Sequence, residues 1–119
     1  MQLLDVLDKA MKARPNAIDR GILVEKLFQG LEGDVADMMG VDAPTYTWNE
    51  ANPTDKALLM PWPYDDIYHW YLLAIIDDMN EETQLYENDM AVFNSAWARA
   101  QAWYRRNNRT HDKRNWRVM

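Results

Sequence analysis

The sequence predicts a mainly α fold, a small bundle of about four helices with an extended Pro-rich loop or β-hairpin inserted between the second and third. Three observations predict it. Apolar residues recur at three- and four-residue spacing along four stretches; the helix-stopping residues Pro15, Gly40 and Asn80 separate those stretches; and four of the five prolines crowd into residues 41–63, where the periodicity lapses. At 119 residues one core suffices, so the expectation is a single helical domain over 1–104, containing the 41–63 insert, followed by a basic tail over 105–119.

The first helix is expected over 3–13, where Leu3, Leu4, Leu7, Ala10 and Met11 alternate with charges. Arg14-Pro15-Asn16 ends it, because proline disfavours helical geometry at the residue before it, and Asn16 or Asp19 can cap the next helix. That second helix runs over about 19–39 with Ile22 or Leu23, Leu27, Leu31, Val35 and Met38 or Met39 on one face. Gly30 and Gly33 interrupt it, each costing about 1 kcal/mol against Ala, so a bend or the close approach of another segment is expected there. Gly40 closes it.

In the insert, Thr45-Tyr46-Thr47-Trp48 and Ala57-Leu58-Leu59-Met60 read as strand pieces that pair across a turn near Asn52. A lone hairpin is marginal in water, so it leans on the helices or on a neighbouring subunit. Residues 64–79 are apolar nearly all round, from Ile67 to Ile76, which marks a central helix. Asn80 ends it. The fourth helix spans about 83–106 with Tyr86, Met90, Phe93, Trp97, Ala100 and Tyr104 on one face and Val92, Ala96 and Trp103 beside it.

The composition, 48% hydrophobic and 12% aromatic, is that of a chain able to bury a real core. Six Trp and six Tyr suit both tight small cores and protein interfaces. There is no Cys, so neither a disulfide framework nor a thiolate metal site can form. No apolar run approaches the ~20 residues that cross a bilayer, and with Asp5 close to Met1 the chain reads as cytoplasmic in manufacture. Charge is polarised: residues 1–104 carry 7 basic and 18 acidic side chains, net -11, and residues 105–119 carry 6 basic and 1 acidic, net +5. Such a body repels nucleic acid broadly while one cationic segment remains available to a phosphate backbone or an acidic protein surface.

Chemistry-bearing patterns are sparse. Asp66 and His69 have the carboxylate-x-x-His spacing that places metal ligands on one helix face, but the second pair a bundle site needs is missing, and hydrogen bonding of His69 at a helix start is the expectation. Ser95 is the one serine and sits where close helix packing is expected. The four glycines form no phosphate-binding loop. Catalytic residues, metal ligands and cofactor sites are therefore none. The tail, with Arg105, Arg106, Arg109, Lys113, Arg114 and Arg117 interleaved with Trp116, is the candidate contact with a protein or with DNA.

Three stretches together resemble the tailed-bacteriophage head-tail connector family, also called head completion or adaptor proteins: Arg14-Pro15-Asn16-Ala17; Pro61-Trp62-Pro63-Tyr64-Asp65-Asp66-Ile67-Tyr68; and residues 86–96, from Tyr86-Glu87-Asn88 to Asn94-Ser95-Ala96, ahead of Trp103-Tyr104-Arg105-Arg106. The resemblance covers most of the chain, more loosely in the first helix and not in the insert. It implies a virion protein of the neck and no reaction: one subunit of a homo-oligomeric ring, typically a dodecamer, docked under the portal. Such a ring extends the channel for packaged double-stranded DNA toward a downstream tail or stopper protein. Tyr46, Trp48, Leu58, Met60 and Trp62 are then the candidates for contact with the next subunit, and the basic tail for contact with the portal or DNA. No membrane or cofactor enters. The alternative is a small helical DNA-binding or regulatory module that uses the basic tail.

Overall fold

The computed structural model describes residues 2–107. Its elements in chain order are α1 (Leu3–Ala13), α2 (Arg20–Leu27), a π-helical turn (Phe28–Glu32), α3 (Gly33–Met39), α4 (Asp66–Met79) and α5 (Thr83–Asn107). Helix α2, the π-turn and α3 follow one another without a break, so the architecture is the expected small bundle of four helical rods. Helix α4 is its centre, packing on α1, α2 and α5. Its buried residues Ile67, Tyr68, Leu72, Leu73 and Ile76 meet Leu3, Val6, Leu7 and Ala10 of α1 and Phe93, Ala96 and Ala100 of α5 in one core.

The caps follow local chemistry. The Asp19 carboxylate accepts the Gly21 N–H at 3.0 Å and starts α2, while Asn16 ties the Arg14 carbonyl and the Ile18 N–H into the preceding corner. Gly40, at φ 69°, ends α3 in the left-handed conformation. At the end of α4 that conformation falls to Glu81, φ 60°, and the Glu82 N–H closes on the Asp77 carbonyl at 2.8 Å.

The two glycines of the second rod are answered by the π-turn. Strict four-residue spacing drifts by about 40° per step in an α-helix of 3.6 residues per turn. A wider turn removes part of that drift, and Leu23, Leu27, Leu31 and Val35 all end buried. A Cβ on Gly30 would overlap the Tyr71 hydroxyl. The close neighbour is thus a side chain of α4.

The hairpin does not form. Among the described residues there is no strand, and the segment between Met39 and Asp66 is an irregular loop whose one bridge pairs Ala57 with Gln2. Its backbone is spent on α1: the Lys56 carbonyl accepts the Leu3 N–H at 2.8 Å and the Asp55 carboxylate accepts the Leu4 N–H at 3.0 Å. Helix α1 has no side-chain cap of its own at Gln2, so these two contacts satisfy donors that a helix start otherwise leaves open. Arg105 and Arg106, assigned to the tail from the sequence, form the last turn of α5.

Candidate functional site

Among the candidates for contact with a neighbouring subunit, burial separates spent residues from available ones. Leu58 and Met60 are 7% and 0% exposed, members of the chain's own core, and drop out as surface residues. Tyr46 stacks on Phe28 at 5.3 Å, and its hydroxyl donates to the Thr54 carbonyl. Trp48 lies against Gly21, with its indole N–H donating to Glu50. Trp62 stands alone, 82% exposed, with Pro61 and Pro63 exposed on either side.

That projection is held at both ends. On one side the Met60 N–H donates to the Tyr68 hydroxyl at 2.8 Å, and that hydroxyl donates to Glu32 at 2.6 Å. The second oxygen of Glu32 accepts the Leu59 N–H at 2.9 Å. Glu32 is fully buried at the end of the π-turn, so a carboxylate in the core clamps the loop to α4. Burial raises the pKa of Glu32 despite the hydrogen bonds that favour its charge, and burial together with Glu32 raises that of Tyr68. On the other side Tyr64 stacks on Trp103 at 5.0 Å, and its N–H donates to the Pro61 carbonyl at 2.9 Å. The backbone that carries the indole is thus held on both sides.

A second buried polar cluster joins three helices. The Arg14 Nε donates to Asp77 at 2.9 Å, and its Nη2 reaches both oxygens of Asp89 at 3.1 and 3.3 Å. Asp77 is fully buried and its Oδ2 has no hydrogen-bond partner among the described residues. Burial, with Asp89 beside it, pushes the Asp77 carboxyl up to about 6. For Arg14, burial opposes the charge, but the two carboxylates raise its pKa. This cluster fixes the end of α1 against α4 and α5.

The weaker sequence signals resolve as follows. Asp66 pairs with Arg99 at 3.4 Å rather than with His69. The hydrogen bond expected of His69 is not made through Nδ1, which is buried without a partner, and burial lowers the pKa of the ring. Ser95 lies on the exposed face of α5, not at a close packing contact. Among the described residues no group of three or more His, Asp or Glu side chains could hold a metal ion, and no helix is long and apolar enough to cross a membrane. Arg105 and Arg106 are exposed; Arg109, Lys113, Arg114, Trp116 and Arg117 lie outside the described residues. Sequence reasoning missed Glu32, Arg14, Asp77 and Asp89. Their signal was an acid lying next to or within an apolar stripe, Glu32 beside Leu31, Asp77 beside Ile76 and Asp89 beside Met90. No protein-family model, no curated protein and no solved structure matches this chain.

Proposed function

We propose that this chain is a structural subunit of a phage neck, one copy of a head-tail connector ring docked under the portal and made in the bacterial host cytoplasm. Packaged double-stranded DNA passes through the ring, and a tail or stopper protein joins its far side. In this reading the chain performs no reaction and needs no cofactor. The observation that carries the reading is the Pro61-Trp62-Pro63 projection: a large apolar side chain, 82% exposed, whose neighbours are locked into the core. Trp is among the residues most enriched where binding energy concentrates, and a backbone already held in place reduces the entropy lost on docking. The net -11 of residues 1–104 also suits a channel wall past which DNA slides, because it offers few cations to phosphates. The basic tail then serves to dock on the portal.

The test is native mass spectrometry of the purified chain, alone and mixed with a portal protein from the same phage. A closed ring or a portal-bound collar is expected. A chain that stays monomeric, ignores the portal, and binds duplex DNA with a steep salt dependence that vanishes on deletion of 108–119 would instead establish the regulatory DNA-binding reading.

A further inference from the structure

We propose that Trp62 of one copy seats in a groove between α4 and α5 of the next copy, a head-to-tail contact between identical chains. This rests on the ring reading and names the two surfaces such a ring needs. The groove, of about 200 Å³, is walled by Tyr71, Ile75 and Met79 of α4 and by Tyr86 and Met90 of α5. Apolar cavities of about 150 Å³ accept a benzene ring, so the groove has room for the indole edge.

Charge complementarity selects a second copy as the occupant. Lys26 and Asp78 line the same groove, and neither has an ion-pair partner among the described residues. Beside the projection, Asp66 and Arg99 form a long, exposed pair at 3.4 Å, with side chains 42% and 66% accessible. That pair offers a carboxylate for Lys26 and a guanidinium for Asp78, so each groove charge has an opposite one on the flank of the projection.

A chain cannot fill its own groove. The projection precedes the first turn of α4, and the groove runs along the helix beyond it, from Tyr71 at about 8 Å to Met79 at about 20 Å from Asp66 at 1.5 Å per residue. Met60 and Tyr64 hold the projection where it is. Two different patches, one ahead of α4 and one along it, make a heterologous contact, and repetition of such a contact closes a ring when the rotation permits.

Two variants test the contact, each changing a side chain that is exposed in the monomer: Trp62→Ala removes the projection and Met79→Lys places a charge in the groove wall. Native mass spectrometry should show loss of the ring for each variant alone, with unchanged circular dichroism. Mixed together, they should form one-to-one heterodimers and nothing larger, because one intact projection and one intact groove remain. If the mixture stays monomeric while the unsubstituted chain assembles, the docking is wrong and the ring reading stands. If the unsubstituted chain assembles neither alone nor with the portal protein, both are wrong.

Discussion

Glu32, Asp77 and Asp89 are buried where an apolar side chain carries a lower desolvation cost, and each is held in a hydrogen-bonded cluster. Removing a partner therefore costs more than the pair itself contributes. Arg14→Met leaves two buried carboxylates uncompensated and should destabilise the fold by about 3 kcal/mol at neutral pH, read as a lower urea midpoint that partly recovers in acid. The pH dependence of the parent chain has a definite sign. A carboxyl raised in the folded state holds its proton more tightly there than when unfolded. The contribution of Asp77 is thus fully present below its ordinary value of 3.8 and is lost as pH rises through about 6. Asp77 should thus make urea midpoints fall between about pH 4 and about pH 6, opposed by His69, whose lowered pKa favours the folded state as pH rises, and Asp77→Asn should remove the falling part. A slope unchanged by the substitution would show that the proton sits elsewhere. At the loop clamp, Glu32→Ala strands the Leu59 N–H and the Tyr68 hydroxyl and should cost about 2–4 kcal/mol, with Glu32→Gln recovering part of it.

At the scale of elements, the helices were legible because their signals are periodic and local. The stripe of α2 and α3, the all-round apolarity of α4 and the stops at Pro15 and Gly40 each state a geometry within a few residues. The π-turn was only half legible. Gly30 and Gly33 announced a close approach, but the partner, Tyr71, lies on another helix and leaves no mark in the local pattern. Gly30→Ala should cost about 1–3 kcal/mol by overpacking, and the double variant with Tyr71→Phe should recover much of it in thermal unfolding. The hairpin was misread for a related reason. The aromatic and β-branched residues at 45–48 and the apolar run at 57–60 suggested strands paired across a turn near Asn52, whereas the loop's polar groups are satisfied by α1 and Glu32, at separations no local pattern reports. At the close of α4, Glu81 holds a left-handed conformation that L-residues adopt at about 1–2 kcal/mol. Glu81→Gly should raise the thermal midpoint, and a fall would mean that the side chain contributes more than its backbone costs.

For the molecule as a whole, stability and assembly are carried by different residues. Trp62→Ala removes an indole that is 82% exposed, so the unfolding free energy should stay within about half a kcal/mol of the parent chain's. Its effect belongs to complexes. Leu58 and Met60, which sequence alone placed with Trp62 at the subunit contact, should behave in the opposite way: Met60→Ala should cost about 2–4 kcal/mol because it opens a cavity in the core. The candidate site was therefore legible as a segment and illegible as a surface, since nothing in an extended apolar run tells which alternate side chains turn inward.

Because Asp55 and Lys56 supply the acceptors for the first turn of α1, the long irregular segment divides into two parts with different tolerance to engineering. An epitope tag inserted between Asn49 and Asn52, where the residues are exposed, leaves those acceptors and the Glu32 clamp in place. The same tag between Lys56 and Leu59 would unseat the amino-terminal helix from more than fifty residues away in the chain, a distance at which no one inspecting that helix would look for the fault.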